Sequence, residues 1–129
     1  GDWSSPSRFV RLAFLKTHCV KGETEAEGIP RMFRLFQSAA FPLGMVEVTQ
    51  PGHVTQLDKD AVPYDYTVYT CIFCAESLRC YWTTYDNPGI RWVDLHDLTG
   101  RVQPVQFPLD RPADFLCLSQ PCELEHRAN

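Results

Sequence analysis

Residues 64–85 read YDYTVYTCIFCAESLRCYWTTY. β-Branched and aromatic residues dominate both halves of this stretch, and such residues favour strands. A short connection, Ala75-Glu76-Ser77, joins the two halves. The sequence therefore predicts a β-hairpin with strands at residues 64–74 and 78–85.

Further strands are predicted on both sides of this hairpin. Gly and Pro recur throughout the second half of the chain and divide it into short runs. Residues 46–48 indicate a short strand, and residues 50–62 a polar loop. Residues 90–95 and 102–107 indicate a third and a fourth long strand. The short connections favour antiparallel pairing.

Helical periodicity marks the N-terminal part of the chain. Ser5 is predicted as an N-cap with Pro6 at the first helical position, and this helix runs to about Cys19. A second helix is predicted where apolar residues recur at steps of three and four from Ile29, and Pro42 ends it. Two amphipathic helices in succession indicate a packed pair.

The fold class predicted by this order is α+β, a helix pair followed by an antiparallel sheet. We expect residues 1–129 to form a single unit, with the helix pair in 1–42, the strands in 43–118 and a tail in 119–129. The hydrophobic fraction of 44% is sufficient for a core.

Charge and hydropathy exclude several classes of partner. The chain has 12 Lys and Arg against 16 Asp and Glu, a formal net charge of −4, and no basic run. This balance argues against nucleic acid and anionic membranes as partners. No apolar window of about 18 residues is present, so no transmembrane helix is predicted.

One interpretation of the cysteines is a metal or redox site. Cys71 and Cys74 form a C-x-x-C pair with Cys80 nearby, but they lie within a strand pattern, where residues three apart point to opposite faces. We therefore predict core cysteines and no metal or cofactor. A disulfide from Cys71 or Cys74 to Cys80 is possible only in an oxidising compartment. The other cysteines are Cys19, Cys117 and Cys122.

The remaining polar candidates carry less chemical information. Asp94 and His96 are predicted on one strand face with Asp97 at its end, an arrangement typical of a solvated edge. The other histidines, His18, His53 and His126, have no spacing that marks a catalytic pair. The chain also has no Gly-rich phosphate loop, GxSxG or HExxH motif.

Arg8 occupies an unusual position for a cation. It follows the expected N-cap by three residues, where a capping box prefers Glu or Gln and the helix dipole disfavours positive charge. One interpretation is a guanidinium held near a site that handles carboxylate or oxyanion charge. The other is a surface arginine paired with a carboxylate such as Asp2. Arg11, one turn further on, shares this ambiguity.

Two stretches resemble the choloylglycine hydrolase and penicillin V acylase family, the cysteine branch of the N-terminal-nucleophile hydrolases. Residues 1–11, GDWSSPSRFVR, are similar to its GD-x-SS-x-SRF-x-R segment. Residues 66–70, YTVYT, and 81–87, YWTTYDN, are similar to its YT-x-Y and YY-x-TYDN strands. The resemblance extends over roughly residues 1–118. It implies that the chain is the C-terminal portion of an αββα sandwich.

The resemblance also implies an activity, the hydrolysis of a linear amide such as a conjugated bile salt or penicillin V. In this family, the thiol of an N-terminal Cys attacks the carbonyl and its own α-amine acts as the base. The family's C-terminal catalytic arginine corresponds to Arg8 alone. Thr83 stands where the family often has Arg or Lys.

The nucleophile and its Asp and Asn partners belong to an N-terminal portion that this sequence does not contain, and Gly1 cannot replace them. The chain alone is therefore predicted to be inactive. Its expected partners are that missing portion and, in the full enzyme, a small amide substrate. Substrate-binding residues are not assigned.

A second class of function stays open, a non-catalytic remnant or structural subunit that binds a protein partner. Half of an αββα sandwich leaves an apolar face uncovered, and such faces mark interfaces, including those of homo-oligomers. A small zinc module is a third interpretation, which metal analysis tests. The sequence does not assign a cellular location, which would be periplasmic if an upstream portion carries a signal peptide and cytoplasmic without one.

Overall fold

The computed structural model describes residues 2–48, 64–109, 111–117 and 119. In this part of the chain, two helices precede two small antiparallel sheets. The helices are α1 (Ser5–His18) and α2 (Glu25–Gln37). The strands are β1 (Val46–Glu47), β2 (Tyr64–Asp65), β3 (Tyr69–Cys74), β4 (Arg79–Thr84) and β5 (Arg91–Asp94).

Helix α1 begins one residue earlier than predicted. Its N-cap is Ser4, whose hydroxyl accepts a hydrogen bond from the Ser7 N–H, so the prediction of Ser5 as the cap is wrong. Asp2 explains the shift, because its carboxylate accepts hydrogen bonds from both the N–H and the hydroxyl of Ser4 and fixes that residue before the helix. Pro6 still lies in the first turn, where its missing N–H removes no helical hydrogen bond.

Helix α2 has a complete N-terminal cap and an early end. The Thr24 hydroxyl accepts from the Glu27 N–H at 3.3 Å, and acidic side chains in the first turn suit the positive end of the helix dipole. The helix ends at Gln37, well before Pro42. The hydroxyl of Ser38 bonds back to the Leu35 carbonyl at 2.7 Å and satisfies one of the last carbonyls there.

The larger sheet has the order β3-β4-β5 with antiparallel neighbours, which confirms the predicted hairpin. In its register Ile72 lies opposite Tyr81. The predicted strand 64–74 is divided, because β2 pairs with β1 in the smaller sheet and residues 66–68 belong to neither. Within that gap Thr67 and Val68 bond to the backbone of Phe41 and Tyr85.

The fourth long strand is absent from its predicted place. Residues 102–107 form no strand, and prolines at 104 and 108 cannot donate to a sheet ladder. The segment instead places Phe107 against Trp82, with ring centroids 6.0 Å apart. The loop predicted at 50–62 and, apart from Ser119, the tail at 119–129 lie outside the described residues.

The core lies between α2 and one face of the larger sheet. Ile29 and Phe33 of α2 are buried against Ile72 of β3. The other sheet face is open around Phe73, which is 71% exposed, while Phe107 covers Trp82 on the same face. Helix α1 contributes no buried residue and leaves Phe9 71% exposed. None of the described helices is long and apolar enough to cross a bilayer.

Candidate active site

Arg8 lies in the first turn of α1, where its own N–H makes a 3.0 Å hydrogen bond to the Ser4 carbonyl. Its half-buried side chain turns back toward the start of the helix. The guanidinium carbon lies 5.1 Å from the centroid of the Phe41 ring, within the range of a cation–π contact. Among the described residues, its one side-chain hydrogen bond is a long one, 3.4 Å from Nη2 to the Ser5 hydroxyl.

The positive charge of Arg8 has no carboxylate partner within the described part of the chain. The Nε–H group is buried and has no hydrogen-bond acceptor there. The alternative pairing with Asp2 does not occur, because hydrogen bonds from Ser4 and Ser7 occupy that carboxylate and lower the pKa of Asp2 to about 2. A cation with unused donors can bind an anion without first breaking an ion pair.

Arg11 has a different environment, and this separates the two arginines. Its Nη1 donates a 2.7 Å hydrogen bond to the Ser38 carbonyl, and its Nη2 reaches the Asp2 carbonyl at 3.4 Å. Its guanidinium also lies 5.3 Å from the centroid of the Trp3 ring. Arg11 therefore ties the start of α1 to the end of α2.

Phe41, whose ring lies beneath Arg8, is held through its backbone by Thr67. Phe41 is 5% exposed and follows α2 in an irregular segment. Its N–H donates to the Thr67 hydroxyl at 3.2 Å, and its carbonyl accepts from the Thr67 N–H at 3.2 Å. The segment that contains Arg8 and the YTVY stretch thus meet at one residue that the sequence analysis did not single out. Phe41 lies beyond the helix, and no local periodicity in the sequence marks it.

Tyrosines from the two strand motifs support the same segment. The Tyr85 hydroxyl accepts a 3.1 Å hydrogen bond from the Leu43 N–H, two residues after Phe41. The rings of Tyr66 and Tyr85 meet edge to face with centroids 5.0 Å apart. The two motifs therefore form the scaffold around the candidate site.

The cysteines do not form a metal centre in the described residues, where no group of three metal-ligating side chains occurs. Cys71 Sγ lies 3.3 Å from Cys80 Sγ, while Cys74 bonds to Glu76. The five described cysteines are free thiols. Burial and, secondarily, the hydrogen bond with Cys71 raise the pKa of Cys80 to about 11, which makes it a weak nucleophile at neutral pH. Cys122 lies outside the described residues.

Asp94 and His96 do not share a strand face, so that prediction is wrong. A short 3₁₀-helix, Leu95–Leu98, starts directly after β5 and takes His96 and Asp97 out of the strand. The Asp94 carboxylate caps this helix by accepting from the His96 N–H at 3.0 Å, and His96 Nδ1 lies 2.8 Å from the same oxygen. His53 and His126 lie outside the described residues.

Comparison with known proteins gives a consistent picture. The family model described as linear amide C–N hydrolases, choloylglycine hydrolase family, matches residues 1–102. A bile salt hydrolase/transferase of Lactiplantibacillus plantarum is 30% identical over 120 residues, which cover 92% of this chain and 34% of that protein. A second one, from Bifidobacterium longum subsp. longum, is 31% identical over 91 residues, 70% of this chain and 25% of that protein.

The fold has a counterpart among solved structures. A mutant conjugated bile acid hydrolase from Clostridium perfringens superposes with a TM-score of 0.69 at 22% identity, over 92% of this chain and 33% of that one. This likeness confirms the α+β fold predicted from the sequence. The chain spans about a third or less of the length of the curated relatives that it matches.

Proposed function

Because this chain belongs to the choloylglycine hydrolase family of linear amide C–N hydrolases, we propose that it forms the C-terminal portion of such an amide hydrolase. The nucleophile then lies in another portion of the protein. The share of its relatives that the chain covers, 34% and 25%, supports this proposal. The chain supplies Arg8, a helix pair and two small sheets to the complete enzyme.

The observation that carries the proposal is the unpaired guanidinium of Arg8. Its Nε is buried without an acceptor, and its charge has no acidic partner in the described residues. Desolvating a cation without a partner lowers stability. An anion that arrives at the site would remove that cost, and the tetrahedral intermediate of amide hydrolysis carries such a charge on oxygen.

The proposed reaction needs no group other than a thiol, an amine and water. The thiol proton moves to the α-amine of the same Cys, and the thiolate attacks the amide carbon. The leaving nitrogen takes that proton as the C–N bond breaks, and water then cleaves the thioester. Arg8 contributes positive charge near the intermediate and does not exchange a proton, since guanidinium stays protonated in proteins.

Conjugated bile salts are the first substrates to test, because the matched relatives carry the name bile salt hydrolase/transferase. Penicillin V is the second, on the basis of the motif resemblance. Both contain a linear amide that a thiolate can attack.

A non-catalytic structural subunit is the second candidate function. The open sheet face favours it, since Phe73 and Tyr69 there are 71% and 54% exposed. Exposed apolar surface of this kind marks an interface. Under the first proposal the N-terminal portion of the same polypeptide covers this face. Under the second a separate protein covers it.

The test of this proposal uses the natural gene product. Its intact mass and N-terminal residue are determined, and it is incubated with glycine- and taurine-conjugated bile salts and with penicillin V. We expect a chain about three times as long as this one, in line with the 34% coverage, with Cys at its N-terminus and release of the free amine. A product that begins near Gly1 and hydrolyses none of these amides contradicts the enzyme proposal and favours the structural subunit.

A further inference from the structure

The Phe41 ring makes the main contact of the Arg8 guanidinium. The guanidinium carbon lies 5.1 Å from the ring centroid, and the single side-chain hydrogen bond of Arg8 to another described residue, to the Ser5 hydroxyl, is 3.4 Å long. With so few polar restraints, the ring and the burial of Nε determine where the charge lies. Any movement of Phe41 therefore moves the cation or leaves it unsupported.

Phe41 has no secondary structure to hold it. It follows the end of α2 by four positions and precedes β1. Its backbone is held on both sides by one residue, since the Phe41 N–H donates to Thr67 Oγ1 and the Thr67 N–H donates to the Phe41 carbonyl, each at 3.2 Å. Thr67 lies in the gap between β2 and β3, so its own N–H is not needed for a strand ladder.

We infer that Thr67 and Phe41 are positioning residues for Arg8 in the amide hydrolase, an inference that rests on the proposed function. The Thr67 hydroxyl fixes the Phe41 backbone, and the Phe41 ring fixes the guanidinium. A catalytic group must be held to within about 0.5 Å, and an error of about 1 Å costs up to about 100-fold in rate. The inference assigns a catalytic consequence to a hydroxyl that touches neither the reacting atoms nor Arg8.

The test uses the complete gene product with its amide substrate. Thr67→Val replaces the hydroxyl with a methyl group of similar size and leaves the Phe41 N–H without its partner. We expect kcat to fall about 10- to 100-fold with KM changed less than threefold. Thr67→Ser keeps the hydroxyl and should restore most of kcat. Thr99→Val removes an exposed hydroxyl that donates a 2.7 Å hydrogen bond to the His96 carbonyl; it is the matched control and should keep the parent kcat.

A double-mutant cycle separates positioning from general support of the fold. If Thr67 acts through Arg8, Thr67→Val should lower kcat little further in an Arg8→Lys background. Equal fold losses in both backgrounds would overturn the inference. An Arg8→Ala enzyme with the parent kcat would instead contradict the role of Arg8 in the proposed function, so the two failures are distinguishable.

A second variant covers the case in which Thr67→Val does not fold. Phe41→Leu keeps an apolar side chain at the buried position and removes only the ring. It should reproduce the loss in kcat, with folding checked by thermal unfolding. A folded Phe41→Leu enzyme with unchanged kcat would refute the inference.

Discussion

The side-chain amide of Asn87 donates a 2.8 Å hydrogen bond to Asp114, which lies 27 positions further along the chain. The same amide donates to the Pro112 carbonyl at 3.0 Å, and its oxygen accepts from the Gly89 N–H at 3.0 Å. Asn87 is 5% exposed, and Arg91 forms an ion pair with Asp114 beside it. The last residue of the TYDN motif therefore fastens residues 111–117 to the sheet.

Removal of this amide should lower stability and detach the segment. Asn87→Ala removes the side-chain hydrogen bonds to Gly89, Pro112 and Asp114, and each such bond contributes roughly 0.5–1.5 kcal/mol. Urea unfolding measures the loss, and limited proteolysis should cut within residues 111–117 sooner. Asp86→Ala is the control, because Asp86 is exposed and its side chain makes no hydrogen bond or ion pair with the described residues. Equal stability of the two variants would contradict the prediction.

Gly22 and Gly28 should respond in opposite directions to the same substitution. A Cβ on Gly22 would lie 2.4 Å from the Gly28 nitrogen and 2.7 Å from its Cα, so Gly22→Ala forces the loop away from α2. Gly28 is within α2, and a Cβ there meets nothing within 4 Å. Gly28→Ala should stabilise the fold by about 0.5–1 kcal/mol, since glycine is a poor helix former.

Thermal unfolding of both alanine variants checks this pair. The midpoint of Gly22→Ala should fall and that of Gly28→Ala should rise relative to the parent. A rise for Gly22→Ala would mean that the close approach between the loop and α2 does not exist in solution.

The helix pair and the hairpin could be predicted because their signals are local. Apolar spacing from Ile29 and the alternation in residues 64–85 each depend on neighbours within a few positions. The gap in the predicted strand could not be found this way. It arises where Thr67 bonds to Phe41, 26 positions away.

In the candidate site, too, the features with a local sequence signal could be predicted and those that depend on distant residues could not. Arg8 could be identified as a candidate from the sequence, because a cation is unusual at a helix start and because its segment resembles a family motif. Phe41, whose ring lies beneath Arg8, has no such signal. It lies in an irregular segment, and Arg8 belongs to a different element, helix α1. The strand predicted at 102–107 is absent for a different reason, since Pro104 within the run and Pro108 after it have no N–H to donate to a sheet ladder.

Glu25 should make stability depend on acid pH. Hydrogen bonds from Tyr81, first, and from Ser77 lower the pKa of Glu25 below its ordinary 4.5. A carboxyl group with a lowered pKa in the folded state stabilises the fold above its unfolded pKa, and this contribution is lost as the pH falls through the folded value. Glu25→Gln should therefore be less stable than the parent at neutral pH.

The difference between the parent and Glu25→Gln should shrink as the pH falls below 4.5. Urea unfolding at a series of pH values measures it. Glu23→Gln is the matched control, since Glu23 is exposed and its carboxylate bonds to no described residue. A stability difference that stays constant with pH would show that the carboxylate charge of Glu25 is not responsible.

The thiols should react at widely different rates. The hydroxyl and N–H of Ser119 lower the pKa of the exposed Cys117, whereas burial and the contact with Cys71 raise the pKa of Cys80 to about 11. Since the thiolate is the reactive form, iodoacetamide near pH 8 should alkylate Cys117 first and Cys80 last.

Peptide mass mapping over time gives the order of modification. Ser119→Ala should slow Cys117 and leave Cys80 unchanged, and urea should bring the two rates together. Alkylation of Cys80 before Cys117 in the folded protein would contradict the burial of the Cys71–Cys80 pair.

Arg8→Ala should abolish most amide hydrolysis by the complete gene product and leave its fold intact. In the proposed function this charge stabilises an anionic intermediate, and loss of such a group typically lowers kcat by about 100- to 1,000-fold. The fold should tolerate the change, because Arg8 has no ion pair in the described residues and its side-chain hydrogen bond to Ser5 is 3.4 Å long. Arg34→Ala is the control, an exposed arginine with a single 3.4 Å contact to Gln37.

The outcomes for Arg8→Ala separate three explanations. A lower kcat with an unchanged unfolding midpoint assigns the charge to catalysis, because the substitution removes donors that the fold does not use. A lower midpoint together with lower activity would assign Arg8 to the packing of Phe41 and α1. Parent-like turnover in a folded variant would remove Arg8 from the mechanism, and the unpaired guanidinium would then have to serve a different anion.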